Sequence, residues 1–182
     1  RPIMSDGGLR ATYGGSANSG VTLSSRPFPD SGKWYYEHEY AAVSSFDYFI
    51  GILPTSVAIS DSVNVISTGV ARGEYAYRFN GQKQLDGTIS SYGAAYTAGD
   101  VIGVAVDMDN LEITFYKGGV SQGTITIVAD QYYMFTQTYG GGTAQVNFGQ
   151  RPFVHTVPTG FIELKSSNLE TPKYHGRDKF DV

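Results

Sequence analysis

One predicted β-hairpin in the middle of this 182-residue chain constrains the fold more than any other feature. Two apolar runs, Val101–Val106 and Leu111–Tyr116, flank the polar cluster Asp107–Asn110. Short runs rich in β-branched and aromatic residues, with a turn cluster between them, are typical of a β-hairpin. Because side chains alternate along a strand, Ile113 and Phe115 should share one face, and that face should be buried.

The composition predicts that the rest of the chain is also β-structure. Glycine (23 residues) and tyrosine (14 residues) are abundant, charged residues make up only 16%, and no long stretch shows helical periodicity. The net charge of −4 argues against a nucleic-acid partner, which needs a basic surface. No apolar run approaches the roughly 20 residues that span a bilayer, so we expect no membrane insertion. The chain has no cysteine and therefore no disulfide.

The segment Lys33–Ala41 is the clearest alternating strand. We expect one face to be buried in the core and the opposite face to be solvated. The expected buried face carries Trp34, Tyr36, His38 and Tyr40, and the expected solvated face carries Tyr35, Glu37 and Glu39. His38 is interpreted as a hydrogen-bonded core histidine.

Further short strands are predicted on both sides of the hairpin. They are Leu9–Tyr13, Val21–Ser24, Tyr48–Leu53, Glu74–Phe79, Lys83–Leu85, Thr88–Tyr92, Thr124–Val128, Tyr132–Tyr139 and Ala144–Phe148. The connection Pro54–Gly73 is long for a compact domain, which favours a functional loop or a short helix. Because the chain begins at Arg1, we interpret it as a piece of a longer protein.

No residue pattern has a spacing that is specific to a catalytic, metal or cofactor site. Asp107, Asp109 and Glu112 superficially match the carboxylate strand of sandwich-type glycoside hydrolases, but the two aspartates belong to a predicted turn. Calcium ligation by this turn is an alternative, although the ligand set is incomplete. There is no nucleophile elbow, no phosphate-binding loop and no histidine cluster. We therefore expect no enzyme activity, no metal and no cofactor.

Several of these segments resemble SPRY domains. The hairpin Gly99–Gly119, the entry strand Ser31–Glu37, the run Phe49–Ile52 and the Asn-Phe-Gly at 147–149 all follow the family order. Leu111 stands where the family usually has glycine, which predicts a wider or strained turn. The resemblance implies a two-sheet antiparallel β-sandwich of the concanavalin-like jelly-roll type over residues 1–164, followed by an extension or linker at 165–182.

The segment that follows Phe148 also resembles SPRY-like modules of tailed-bacteriophage virion and tail proteins. The resemblance rests on Gln150–Phe153 and Pro158–Phe161, with a similar continuation after Ser167. It implies a virion location, on the tail or capsid surface, and a role in host recognition. The expected partners are a protein segment, a surface glycan or neighbouring virion proteins.

Family members bind partners through loops at one edge of the sandwich and are not enzymes, so the resemblance implies non-catalytic recognition. By position, the matching loop residues are Phe28, Asp30, Thr68, Val70, Arg72, Tyr139 and Gly140. Tyr139 replaces the tryptophan that several members carry, and we expect Tyr139→Ala to weaken partner binding by about 1–3 kcal/mol. Three alternatives stay open: a glycan hydrolase, a structural fibre spacer, and a eukaryotic-type SPRY adaptor.

Overall fold

The chain forms two antiparallel β-sheets packed face to face, with almost no helix. The structure, a computed structural model, describes residues 3–14, 19–43, 47–57 and 69–169, and it leaves the side chains of residues 19, 42, 43, 139 and 166 undescribed. In this part of the chain no helix is long and apolar enough to cross a membrane. The predicted all-β sandwich is therefore confirmed.

Within the described residues, fourteen strands build the two sheets. In chain order they are β1 Ile3–Ser5, β2 Arg10–Tyr13, β3 Ser19–Leu23, β4 Lys33–Val43, β5 Asp47–Pro54, β6 Tyr75–Arg78, β7 Gln82–Leu85, β8 Thr88–Ser91, β9 Val101–Asp107, β10 Glu112–Lys117, β11 Val120–Thr126, β12 Tyr132–Tyr139, β13 Gly142–Asn147 and β14 Ile162–Glu163. The first sheet has the order β1-β2-β13-β4-β9-β10-β11, and β14 pairs with β4 in parallel. The second sheet has the order β3-β12-β5-β6-β7-β8. Two 3-10 helices span Asp6–Gly8 and Ser166–Asn168.

The main core lies between the inner faces of the two sheets. In the central hairpin, Ile113 and Phe115 are fully buried there, as the alternation predicts. From the second sheet, Ile50 and Ile52 pack into the same core, while Phe49 and Leu53 point the other way into a smaller cluster. The period-two pattern thus assigns each apolar side chain of β5 to one of two apolar layers.

Tyrosine side chains fill much of the space between the sheets. Tyr40, Tyr48, Tyr77 and Tyr96 are all buried, and neighbouring rings lie 4.4–5.4 Å apart. Each hydroxyl reaches a partner; for example, Tyr48 donates to the carbonyl of Tyr96 (2.8 Å) and Tyr96 to that of Tyr77 (2.9 Å). Burial raises the pKa of Tyr40 and Tyr96 well above the ordinary value, so they stay neutral donors.

His38 lies in this core beside Tyr40, at 4.8 Å between ring centroids. Its side chain is 1% exposed, which agrees with the predicted core position. The predicted hydrogen bond is wrong, because neither ring nitrogen has a partner among the described residues. Burial lowers the pKa of His38 to about 3, since charging the ring there would cost its hydration.

Two of the three side chains on the outer face of β4 are not solvated as the alternation predicts, whereas Glu39 is partly exposed. Tyr35 and Glu37 are 1% and 3% exposed, because residues 148–169, here called the C-terminal strap, cross this face. Phe153 packs edge-on against Tyr35 at 5.0 Å, and the Glu37 carboxylate accepts the backbone N–H groups of Val154 (2.9 Å) and His155 (2.8 Å). Two amide donors supply what water would otherwise give a buried carboxylate.

The strap continues past the predicted domain boundary at residue 164. Leu164 and Leu169 both pack against the main core, and the 3-10 helix at Ser166–Asn168 lies between them. Residues 170–182 of the predicted linker, and residues 58–68 of the predicted long connection, lie outside the described residues. The boundary at 164 itself stays a prediction.

Candidate functional site

The turn of the central hairpin is held together by the carboxylate of Asp107. Its Oδ1 accepts the backbone N–H groups of Asp109 (3.1 Å) and Asn110 (2.9 Å), and its Oδ2 accepts Lys33 Nζ at 2.7 Å. Burial alone would raise the pKa of Asp107, but the bonds from Lys33 and Asn110 outweigh it and lower the pKa below its ordinary value. Leu111 completes the turn with a left-handed backbone (φ +56°), so the turn expected to be strained does adopt a conformation that favours glycine.

The other two carboxylates of this region differ from Asp107 in their contacts. Asp109 Oδ1 accepts the N–H of Gly32 at 2.7 Å and so ties the turn to the start of β4. Glu112 stands directly across the hairpin from Asp107. Among the described residues, no group of three or more His, Asp or Glu side chains is arranged to hold a metal ion. Asp107 and Asp109 therefore stabilise the turn through hydrogen bonds, and the hydrolase alternative gains no support.

Several loops meet at the end of the sandwich that contains this turn. The N–H of Phe28 donates to the carbonyl of Tyr132 (2.8 Å), and that of Thr55 donates to the carbonyl of Gln131 (2.8 Å). The Gln131 side chain donates to Asp30 Oδ1 at 3.1 Å. These bonds link three loops from distant parts of the sequence, so their relative positions are fixed before any partner arrives.

A fourth loop, residues 69–73, is tied to the β7–β8 turn at the same end. The N–H of Gly69 donates to the carbonyl of Gly87 (2.9 Å), and the N–H of Gly73 donates to Asp86 Oδ1 (2.7 Å). Gly87 is required here, because a Cβ would come within 2.8 Å of the Val70 carbonyl carbon. We call residues 28–32, 54–57, 69–73, 86–87, 108–111 and 128–131 the acidic rim.

The acidic rim combines exposed aspartates with exposed apolar side chains. Asp30, Asp86, Asp109 and Asp130 are all exposed there. None of the four takes part in an ion pair within the described ranges, where the pairs are Lys33–Asp107, Arg78–Asp47, Lys117–Asp100 and Lys165–Glu163. Val70 and Val128 are 42% and 69% exposed at the same end. The rim is therefore a pre-formed, negatively charged surface with apolar contacts.

The site residues predicted from the sequence do not form one surface. Asp30, Val70 and Arg72 lie at the acidic rim, whereas Tyr139 and Gly140 lie at the opposite end, which we call the far end. Strand β12 pairs Tyr132 with Pro54 and Tyr139 with Asp47, so seven residue steps of about 3.3 Å put roughly 23 Å between the two ends. Thr68 and the Tyr139 side chain lie outside the described residues.

Phe28 is at the rim by position, but its ring faces the interior. It is 2% exposed and its centroid lies 6.1 Å from that of Tyr36. The ring therefore supports the loop from below, in place of the exposed contact we expected. The sequence did not predict that Asp86, Asp109, Val128 and Asp130 lie on the same surface as Asp30. An Asp-Gly turn is visible in the sequence at Asp86, but nothing local shows that these turns share an end.

Comparison with known proteins identifies the family. The family model for the SPRY domain matches residues 33–151, nearly two thirds of the chain. The chain belongs to the SPRY domain family. Among solved structures, the SPRY domain of human HERC1 superimposes with a TM-score of 0.68 at 19% identity, covering 83% of this chain and 94% of that one. Stonustoxin superimposes with a TM-score of 0.64 at 15% identity, covering 80% and 25%.

Two curated relatives contain a segment similar to this chain. E3 ubiquitin-protein ligase RKP of Arabidopsis thaliana is 30% identical over 144 residues, which is 75% of this chain and 11% of that protein. ATP-dependent RNA helicase Ddx1 of Drosophila melanogaster is 27% identical over 112 residues, which is 59% of this chain and 15% of that protein. Since the chain spans so little of either relative, their whole-protein activities are not assigned to it. The SPRY domain is a protein-interaction fold and is generally non-catalytic.

Proposed function

We propose that this SPRY domain is a protein-interaction module that binds a short basic segment of a partner protein at the acidic rim. The observation that carries the proposal is the set of four exposed aspartates around Val70 and Val128, on loops already fixed by hydrogen bonds. A partner segment with lysine or arginine beside an apolar residue would match both the charge and the apolar contacts.

The relatives support an adaptor role of the eukaryotic type better than a role in a phage particle. The two curated relatives come from a plant and an insect, the HERC1 SPRY domain is human, and none of the three is named as a virion protein. The virion location, the host-surface glycan and neighbouring virion proteins, which rest on the resemblance of the segment after Phe148, remain predictions. In either setting the domain would bind its partner and leave any chemistry to other parts of a larger protein.

A peptide selection tests the proposal directly. Peptides selected from a random display library against the domain should be enriched in lysine and arginine next to an apolar residue. Their affinity, measured by fluorescence anisotropy, should fall as salt rises, because exposed charges are screened. The double variant Asp30→Asn, Asp130→Asn should bind them about tenfold more weakly, a loss of roughly 1.4 kcal/mol.

The matched control removes one negative charge at the far end. Asp100→Asn loses the pair with Lys117 (3.3 Å) but keeps a side-chain oxygen for the N–H of Thr97, and it should bind the selected peptides as wild type does. The proposal would be contradicted if the selected peptides lacked basic residues. It would also be contradicted if they bound the rim variant, Asp30→Asn with Asp130→Asn, as tightly as the wild type. Binding lost in Tyr139→Ala and kept in the rim variant would place the site at the far end.

A further inference from the structure

A cavity of about 600 Å³ opens between the two sheets at the edge formed by β1 and β3. Its apolar walls come from both sheets and from the C-terminal strap. Among them are Met4, Met134, Ala144, Val146 and Leu169. We call it the edge cavity. Its volume falls within the range of about 300–1,000 Å³ that is usual for small-molecule sites.

The hydroxyls of Thr22, Thr136 and Ser24, which line the edge cavity, already have partners in the protein. The Thr22 hydroxyl bonds to that of Tyr13 (2.7 Å), and the Thr136 hydroxyl bonds to that of Tyr40 (2.6 Å). Ser24 accepts the N–H of Met134 (3.1 Å) and donates to a backbone carbonyl of its own loop (2.6 Å). The wall therefore offers an occupant mainly apolar contact and few hydrogen bonds.

The charged residues that line the edge cavity are Arg26 and Lys165, and both are cations. The Arg26 side chain is exposed at the loop after β3. Lys165 lies 3.5 Å from Glu163, with 37% of its side chain exposed, so its ammonium is only loosely held. An apolar interior beside two accessible cations matches a molecule with an apolar body and one negative group.

We propose that the edge cavity binds a small amphipathic carboxylate with an unbranched hydrocarbon chain, such as a medium-chain fatty acid. The chain would occupy the apolar interior, and the carboxylate would lie near Arg26 and Lys165. A hydrocarbon chain fits better than a peptide strand, because each peptide unit brings an N–H and a C=O that must be hydrogen-bonded when buried. This site is separate from the acidic rim and takes a ligand of the opposite charge.

Isothermal titration calorimetry of the whole chain with octanoate, decanoate and dodecanoate tests the proposal. Affinity should rise about fourfold for each methylene added, until the chain fills the cavity and the gain stops. Decanol should bind more weakly than decanoate, because it lacks the charge. Absence of binding by all three acids, or affinity independent of chain length, would overturn the proposal.

Two variants separate the interior from the mouth. Ala144→Leu adds volume inside the cavity and should reduce dodecanoate affinity at least tenfold. The double variant Arg26→Gln, Lys165→Gln, here called the mouth variant, changes only accessible side chains, so the fold should be kept. It should weaken the binding of decanoate and leave the binding of decanol unchanged. Lys83→Gln, which removes a cation over the Tyr92 ring on the other side of the sandwich, is the matched control and should change neither.

The variants also distinguish other occupants. Equal weakening of decanoate by the mouth variant and by Lys83→Gln would show a general charge effect and overturn the assignment. Binding of an acidic apolar peptide without binding of any fatty acid would assign the cavity to a peptide. Self-association in sedimentation that Ala144→Leu abolishes, again without fatty-acid binding, would assign it to a second copy of the chain. Either result would overturn the proposal.

Discussion

The two long edges of this sandwich are finished in different ways. Where β8 and β11 end the sheets, side chains close the gap: Gln122 Oε1 accepts the N–H of Ala94 (2.8 Å), and the Tyr92 hydroxyl donates to the carbonyl of Gly123. The Tyr92 ring also packs edge-on against Tyr77 and Phe115, at 5.2 and 6.0 Å. Where β1 and β3 end the sheets, the edge cavity remains.

At both edges the last strand of each sheet pairs with its neighbour in antiparallel orientation, so the backbone pairing does not explain the difference. The two edges differ in the volume of the side chains between the sheets. At the closed edge a large aromatic residue reaches across from one sheet to the other. At the open edge the Tyr13 hydroxyl reaches Thr22 of the other sheet (2.7 Å), but the inner positions that line the cavity include Ala11 and Ala144, whose side chains are small. Individual side chains therefore decide whether the gap between the sheets is filled at an edge. An edge that they leave unfilled is available to a ligand.

The largest effect should come from unsealing the closed edge. Tyr92→Ala removes ring contacts on both sheets and should lower the free energy of unfolding by about 3 kcal/mol. Leu23→Ala at the open edge is the control and should cost about 1 kcal/mol, because this side chain is only half-buried where it packs against the smaller cluster. Urea denaturation monitored by circular dichroism measures both. Similar losses at the two edges would contradict the comparison.

Acid should weaken the core between the two edges through His38. Its pKa of about 3 in the fold lies below its value in the unfolded chain, about 6.5, so between these pH values only the unfolded chain takes up the proton. The free energy of unfolding should therefore fall as pH drops below 6.5, by up to about 1.4 kcal/mol per pH unit from this residue.

The variant His38→Leu isolates this contribution. As pH falls from 7 to 5, the wild type should lose more free energy of unfolding than the variant, because only the wild type carries the histidine. Urea titrations at several pH values measure it. Parallel pH profiles would mean that His38 has a hydration or hydrogen-bond partner that keeps its pKa ordinary.

Adding volume should act with opposite sign at the two edges. Ala144→Leu fills space at the open edge and should raise the free energy of unfolding by about 1 kcal/mol. Gly93→Ala at the closed edge would bring a Cβ within 2.8 Å of Gln122 Cβ and should lower it by about 1 kcal/mol. Thermal unfolding gives both changes, and a loss of stability in both variants would show that the open edge is already tightly packed.

The smallest effect is expected at the hairpin turn beside the closed edge. Leu111→Gly relieves a left-handed backbone, but it also removes a side chain that packs against the core. The two effects are each about 1 kcal/mol and opposed, so the net change in the free energy of unfolding should be under about 0.5 kcal/mol. Chemical denaturation resolves this, and a loss above 2 kcal/mol would show that packing dominates.

Features that depend on neighbouring residues could be predicted from the sequence. The strand Tyr132–Tyr139 begins and ends as predicted, and Ile113 and Phe115 are buried on one face. The left-handed backbone of Leu111 matches one of the two predicted outcomes, a strained turn, because related domains usually carry glycine at this position. In each case the information lies within a few positions along the chain.

Features that depend on distant segments could not be predicted in this way. The burial of Tyr35 and Glu37 requires the strap, and more than 100 residues separate the strap from β4 in the sequence. The same limit applies to the candidate site: Asp30 and Tyr139 both matched family loops, but only strand pairing shows that they lie at opposite ends. Phe28 was expected to contact a partner because its loop matches a family binding loop by position, but its ring faces the interior.

The strap has a practical consequence for anyone who expresses pieces of this protein. The SPRY match ends at residue 151, yet the two amides that solvate the Glu37 carboxylate belong to Val154 and His155. A gene fragment cut at the family boundary would leave that carboxylate with neither donor and would uncover the ring of Tyr35. Poor yield or precipitation of such a fragment would then reflect the choice of end point and would say nothing about the sandwich itself.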